Sequence, residues 1–465
     1  MDGSGVAAAL KASEFNHFVP AALDGTVIAY NAFTGAYLPM AQEDFIEFAQ
    51  AVRRPGEASE EMRAALKAKG FLVEESRDER AELKAAYGES RAAPVGLNLT
   101  IAPTVSCNFA CSYCFEEHPK RHLSDADIEA MAAHVAGRLK PGEPLNVTWF
   151  GGEPLAAFPA LEKLDAALQA IADERGSPYT QFIITNGSLL DERKIAYFAG
   201  RPGFTGAQIT LDGPPEIHDQ RRYSSAGKPT FAKILDNLKA VDGRFQVQLR
   251  VNLDRTNVEA APRLIELIGE AGIADWTAIY FGHVVDYTAA CGDLNESMLS
   301  RRDFAAAEVA LFHGMVRLGL RPAMGLPEPD AGSLCVGDAP NGGVLSPGGL
   351  FFKCWNETAL PEGQAYGRLN ADGSMAENAT REDRAGFWRD YGPFSHAECS
   401  TCSVQPLCKG GCPWEAEKMP EDGPGACTPL RFNLAERLQL HHLVQSIDAA
   451  GRTPRADTPG PKQVV

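Results

Sequence analysis

Between residues 97 and 281 the chain repeats one pattern. Short apolar runs alternate with stretches in which apolar residues return every three or four positions. The runs are LNLTI (97–101), NVTWF (146–150), FIIT (182–185), QITL (208–211), VQLRVN (247–252) and TAIYF (277–281). Between them the spacing is helical: Leu161, Leu164, Leu168 and Ile171 share one helix face. Strand–helix alternation of this kind predicts βα units on a parallel sheet. In such folds chemistry collects where the strands end.

The flanks read differently. FNHFVPA, TVIAYN and FTGAYLPM predict short strands joined by turns at Asp24-Gly25 and Thr34-Gly35. Helical spacing follows at Phe45, Phe48, Ala49 and Val52 and again at Met62, Ala65 and Leu66. Phe71-Leu72-Val73 predicts a further strand, and SRDERAELKAAYGESR (76–91) reads as a charged connector. From about Pro327 the chain is rich in Gly, Pro and Cys and poor in periodic segments. Leu430, Leu434 and Leu438 mark a last helix, and RTPRADTPGPKQVV (452–465) reads as a disordered tail. The division expected is a small α+β module at 1–92, a βα body at 93–326, a cysteine-rich domain at 327–436 and a helix end with tail at 437–465.

The 465 residues contain no run of eighteen uncharged apolar residues, and MDGSGVAAALKASEF lacks the basic start and apolar stretch of a secretory signal. A cytoplasmic protein without a membrane span is expected. The formal net charge of −17 disfavours nucleic acid as a partner, because like charges repel the phosphate backbone. The 11 cysteines are unevenly placed, and clustered thiols in a reducing compartment more often hold metals than form disulfides.

The first group follows the first strand, in APTVSCNFACSYCFE. Cys107, Cys111 and Cys114 form C-x3-C-x2-C. Three thiolates in so short a loop can each take one iron of a 4Fe–4S cluster, leaving the fourth iron open. The competing reading is a zinc loop completed by His118. CNFACSYC resembles the fingerprint of the radical S-adenosylmethionine (SAM) superfamily, in which an aromatic residue, here Tyr113, precedes the last cysteine. The resemblance implies a partial (β/α)6 TIM-like barrel. It also implies that SAM chelates the open iron, and that its reductive cleavage yields a 5′-deoxyadenosyl radical that abstracts hydrogen from substrate.

Further motifs end successive strands. Gly151, Gly152, Glu153 and Pro154 form GGEP; two glycines permit close backbone approach, and Glu153 can accept from an ammonium group. In the family this motif binds the SAM amine. Thr185 and Asn186 in ITNG suit the ribose or carboxylate of SAM. Asp212 in LDG suits polar SAM groups or catalysis. Arg250 and Asn252 in RVNLD lie on one strand face and correspond to family contacts with the SAM carboxylate and ribose. Asp212 and Glu116 are the candidates for a general base. HDQRR (218–222) reads as a solvated loop more readily than as a substrate entrance.

The second group comprises Cys335, Cys354, then Cys399, Cys402, Cys408 and Cys412 in C-x2-C-x5-C-x3-C, and Cys427. Structural zinc is one reading of the C-x2-C pair, although seven ligands do not complete two four-thiolate sites. The array resembles the SPASM domain of radical SAM peptide-modifying enzymes. That implies two auxiliary 4Fe–4S clusters, three clusters in all. Cys399, Cys402, Cys408 and Cys427 would hold one completely. Cys335, Cys354 and Cys412 would hold the other one ligand short, with the position open, filled by a substrate thiolate or by another side chain; Cys291 is a remote candidate.

The N-terminal module resembles, in element order and length, the winged-helix-like PqqD-type domain that captures leader peptides as an added strand. The alternative is a cap over the barrel. The whole predicts an oxidoreductase that modifies a ribosomally made precursor peptide by a thioether or carbon–carbon cross-link or a related oxidation, reduced by a flavodoxin or ferredoxin. Sulfatase-maturase-like oxidation of a protein side chain, oxidation of a small molecule, and a non-catalytic iron–sulfur carrier are the alternatives.

Overall fold

The structure is a computed structural model. It describes residues 9–450 except 22–23, 287–293, 295, 331, 334, 393, 395 and 418–425. Cys291 and the C-terminal tail read from the sequence lie outside the described residues.

The N-terminal segment runs β1 (Leu10–Ala12), β2 (Asn16–Pro20), β3 (Thr26–Asn31), β4 (Tyr37–Ala41), α1 (Gln42–Arg53), α2 (Glu60–Ala68), β5 (Leu72–Glu74) and α3 (Glu79–Ala92). β2, β3 and β4 form an antiparallel meander, and β1 pairs with β5. Gly25 and Gly35 make the two tight turns at φ 74° and 73°, where a side chain would be strained. Ala29 on the meander packs with Phe48, Val52, Leu66 and Phe71 from the helices and their connections. Val19, Ile28 and Tyr30 pack instead on Val404, Leu430, Leu434 and Leu438. The segment is thus seated on C-terminal elements.

The charged stretch read as a connector is α3, a 14-residue helix. The Asp78 side chain caps it by accepting from the Ala81 N–H at 2.9 Å, and acids in its first turn and Arg91 in its last complement the helix dipole. Its buried face is Glu79 and Tyr87, so hydrophobic periodicity had almost nothing to report.

The body contains β6 (Leu97–Thr104), α4 (Asp125–Arg138), β7 (Leu145–Gly151), α5 (Phe158–Arg175), β8 (Tyr179–Thr185), α6 (Glu192–Ala199), β9 (Phe204–Thr210), α7 (Pro215–Arg221), α8 (Phe231–Val241), β10 (Val247–Leu253), α9 (Ala261–Glu270), β11 (Thr277–His283) and α10 (Arg301–Arg317). β6 to β11 are parallel and adjacent in chain order, with all six predicted runs on them. Ile101, Trp149, Ile183, Ile209, Leu249 and Val251 meet Leu161, Leu164 and Leu168 of α5 and Leu264 and Ile268 of α9 in one core. Each fully buried leucine there contributes roughly 1.5–3 kcal/mol. This packing holds the strand ends, and the loops leaving them, in fixed relation.

The sheet does not stop at β6. β12 (Gly342–Ser346) lies parallel beside it, and β13 (Leu350–Phe352), β14 (Gly367–Leu369) and β15 (Met375–Glu377) continue antiparallel, giving ten strands. The cysteine-rich region is therefore an extension of the barrel's own sheet. α11 (Glu382–Asp390) and the short turns α12 (Gln405–Cys408) and α13 (Pro413–Glu417) follow. α14 (Leu430–Ala449) runs unbroken through residues 436 and 437 and packs on α10 and β2. Among the described residues, no helix is long and apolar enough to cross a membrane.

Candidate active site

Cys107, Cys111 and Cys114 lie on the loop leaving β6. That loop is pinned from several sides. The Val105 N–H donates to the Arg121 carbonyl at 3.1 Å, the Ala110 N–H to Tyr223 at 3.0 Å and the Ser112 N–H to Arg221 at 3.1 Å. Phe109, 4% exposed, anchors it in the barrel core. The GGEP turn at the end of β7 presses on it directly. A Cβ on Gly152 would stand 2.4 Å from the Ser106 carbonyl oxygen, and one on Gly151 2.2 Å from that of Thr104. The close approach these glycines permit is to the cysteine loop itself.

Glu153 is fully buried within this joint. Its Oε1 accepts from the Thr185 hydroxyl at 2.7 Å and the Leu155 N–H at 3.0 Å; its Oε2 accepts from the Asn186 N–H at 2.8 Å. The carboxylate fastens β7 to β8. Asn186 donates to Asn108 at 2.8 Å, tying β8 to the cysteine loop in turn.

Tyr113 is the centre of a second network. Its hydroxyl donates to Asp212 and accepts from Arg222 at 2.7 Å and Asn252 at 3.1 Å. Asp212 is 0% exposed, and its Oδ1 takes the Asn252 N–H at 2.9 Å. Arg250 donates to the Asn252 side chain at 2.6 Å. Arg221 bonds Asp254 at 2.7 Å and lies 3.7 Å from Asp212.

HDQRR is not a solvated loop. His218 is 0% exposed and Arg221 8%. The reason is charge pairing: Asp212 and Asp254 at strand ends draw the arginines inward. Two acids and two basic residues far apart in sequence leave no local signature, although the strand-end Asp at 212 and 254 could have prompted a search for partners. His218 accepts the Asp212 N–H at Nδ1 (3.2 Å), and its Nε2 faces Thr230 Oγ1 at 3.1 Å. Burial pushes its pKa down to about 3.

These elements enclose a cavity of about 220 Å³. Its wall includes Cys107, Cys111, Cys114, Tyr113, Gly151, Gly152, Thr185, Asn186, Arg250 and Asn252. Glu153, Pro154 and Asp212, expected from the motifs to face a ligand, are not on that wall; their neighbours are. Glu116 is on it, 8% exposed, with Oε1 unbonded; burial raises its carboxyl to about 8. Gln208 and His283 also line it, and sequence reading missed both; Arg222 of HDQRR lines it too, where the sequence favours a solvated loop over a substrate entrance. Gln208 and His283 sit on strands whose apolar neighbours were read for the core alone.

The cavity is also lined by Cys335, Cys354 and Cys412, with Trp355, Trp388 and Trp414, three of the chain's five tryptophans. Cys399, Cys402, Cys408 and Cys427 are not among the residues lining this cavity. All ten described cysteines are free thiols. Burial foremost pushes Cys114, Cys335 and Cys412 up to about 12 and Cys399 to about 11. Buried sulfurs of this kind become thiolates only with a cation to bind them. Among the described residues no three His, Cys, Asp or Glu side chains converge on a single metal ion. His118 Nε2 meets Cys114 Sγ at 3.3 Å, and its Nδ1 is engaged with the Val105 carbonyl at 3.2 Å.

Residues 101–268 match the family model of the radical SAM superfamily. The chain is 24% identical over 338 residues to a serine-type anaerobic sulfatase-maturating enzyme of Klebsiella aerogenes, covering 69% of this chain and 80% of the relative. It is 31% identical over 141 residues to the corresponding enzyme of Bacteroides thetaiotaomicron, covering 28% of this chain and only a third (33%) of that relative. In fold it is similar to native anSMEcpe with bound AdoMet (TM-score 0.57, 19% identity, 77% of this chain and 99% of that one). It is also similar to Streptococcus suis SuiB bound to precursor peptide SuiA (TM-score 0.50, 14% identity, 90% and 98%). Residues 101–268 are thus a radical SAM domain, and the chain is an enzyme of radical chemistry. That family binds SAM and a 4Fe–4S cluster.

Proposed function

We propose that the protein modifies a ribosomally made precursor peptide inside the chamber lined by both cysteine sets. The observation that carries this reading is the shared cavity: Cys107, Cys111 and Cys114 line it together with Cys335, Cys354 and Cys412. A substrate held there has both cysteine sets along the walls around it. Cys107, Cys111 and Cys114 would each hold one iron of the radical cluster, and Tyr113, Gly151, Gly152, Thr185, Asn186, Arg250 and Asn252 would line the SAM site. Bound there, cluster and SAM supply a 5′-deoxyadenosyl radical. Glu153 and Asp212 act one step back, holding Thr185, Asn186, Tyr113 and Asn252 in place. Cys399, Cys402, Cys408 and Cys427 would hold one auxiliary cluster; Cys335, Cys354 and Cys412 would hold another with one position open to a substrate thiolate. Glu116, with an unbonded oxygen on the wall, is the candidate to take a substrate proton.

The leader would pair with β2 of the N-terminal segment. Phe18 on that edge strand and Ile46 on α1 are large apolar side chains 39% and 54% exposed. Tethering the leader there raises the effective concentration of the core peptide. A flavodoxin or ferredoxin is the electron donor this reading requires.

The test is incubation of reconstituted, reduced protein with SAM and peptides from neighbouring short reading frames. A mass loss of two hydrogens in the core peptide is expected, absent when Cys107, Cys111 and Cys114 are replaced by Ala. No mass change with any such peptide would sink the proposal. The similarity to sulfatase-maturating enzymes over 69% of the chain favours a second reading, oxidation of a Ser or Cys side chain, which the same assay with sulfatase-derived peptides distinguishes.

A further inference from the structure

α3 reaches the wall of the chamber. The Tyr87 hydroxyl, on a side chain 7% exposed, donates to Asp338 Oδ2 at 3.1 Å. Asp338, 2% exposed, accepts the Cys335 backbone N–H on Oδ1 at 2.8 Å. Arg91 donates to the Tyr87 hydroxyl at 2.7 Å and lies 3.7 Å from Asp338 Oδ2. Its guanidinium also bonds the carbonyls of Tyr391 (2.8 Å), Arg389 (2.8 Å) and Trp388 (3.1 Å), and Trp388 lines the chamber. Lys353 is the other cation nearby, held by the carbonyls of Ala339 and Gly342 at 2.9 Å each.

A buried carboxylate one hydrogen bond from Cys335 disfavours adding an electron to whatever metal group that sulfur holds. Hydroxyl and guanidinium groups on the same carboxylate offset part of that field. Potentials of buried iron–sulfur groups follow such charges and hydrogen bonds.

We propose that Tyr87, Arg91 and Asp338 are positioning residues through which the N-terminal segment sets the reduction potential of the metal group at Cys335, Cys354 and Cys412. The inference rests on the reading that those cysteines hold a cluster. The segment is then no loosely tethered docking module. Its last helix is part of the electrostatic surroundings of the redox site, and anything that shifts α3 shifts that potential.

The experiment is an EPR-monitored redox titration of the full-length, reconstituted enzyme, with the relevant signal assigned by its loss in Cys412→Ala. Asp338→Asn keeps an oxygen for the Cys335 N–H and removes the charge, so the potential moves up. Tyr87→Phe removes the hydroxyl and leaves the carboxylate less neutralised, so it moves down. Arg91→Lys restores part of what Arg91→Ala loses. The radical cluster's signal and the exposed control Lys84→Gln stay unmoved. Iron for only one cluster in the wild type overturns the underlying reading and this inference with it. Three clusters with Asp338→Asn and Tyr87→Phe unshifted, or shifted in the same direction, overturn this inference alone.

Discussion

The loop of Cys107, Cys111 and Cys114 and the array from Cys335 to Cys427 are both proposed to hold clusters, yet they are built on opposite terms. The loop hangs from a sheet whose apolar core runs from Leu97 on β6 through Met315 on α10, and backbone bonds and two glycines clamp it. The array sits among short turns with small satellite cores, Val344, Phe352, Tyr366 and Trp388 in one, Tyr391, Ala416 and Ala426 in another. A site that must bind a cofactor reversibly is preorganised by packing. A site that keeps its metal can let the metal do the organising.

The largest effect expected follows from that contrast. Stripping iron anaerobically should leave amide protection on β6 to β11 and remove it across 397–417, read by hydrogen-exchange mass spectrometry. Equal loss in both regions would show that the barrel, too, depends on its cluster. The converse perturbation is a cavity in the packed region. Leu161→Ala, at a side chain 0% exposed, should cost about 2–5 kcal/mol in denaturant melts, the same with and without iron. Dependence on iron would tie the two regions together more closely than the core suggests.

Gly152→Ala tests the clamp. The added methyl would meet the Ser106 carbonyl, which is backbone and cannot swing aside. Overpacking of this kind costs about 1–3 kcal/mol. Its stronger consequence should be at least tenfold weaker SAM retention, because the displaced segment carries Cys107. Unchanged retention measured by equilibrium dialysis would mean that the loop is set by its other bonds.

The same contrast explains what could be read from residues alone. The six strands were legible because each is an apolar run that must be buried. The cysteine sets were legible because thiols at close spacing have few other uses. Four things were hidden, the first three resting on polar groups meeting across distance. α3 buries Glu79 and Tyr87 rather than leucines, so it passed for a linker. Arg221 and Arg222 turn inward toward Asp212, Asp254 and Tyr113, partners set 9 to 109 positions away. Glu153 and Asp212 carried the right motifs, but their oxygens are consumed within the protein. β12 beside β6 joins segments whose pairing no local pattern encodes.

His218 offers the smallest and most specific probe of that hidden polar layer. It is neutral in the fold: Nδ1 accepts the Asp212 N–H, which leaves Nε2 to donate to Thr230, whose hydroxyl bonds the Arg222 carbonyl. Its pKa falls from 6.5 to about 3, mainly through burial, so the unfolded chain takes up a proton that the folded chain refuses. Its contribution is therefore complete above pH 6.5 and is lost as the pH drops toward 3, at about 1.4 kcal/mol per unit. Between pH 7.5 and 5.5 the wild type should lose about 1.4 kcal/mol relative to His218→Asn, whose side-chain oxygen can keep the Asp212 bond without titrating. Because the ring fixes the backbone at both Asp212 and Arg222, the Tyr113 network should loosen over the same interval while the array around Cys399 does not. Parallel stability curves for the two proteins across that range would mean that His218 is not held neutral, and that the strand-end network is less tightly closed than its hydrogen bonds imply.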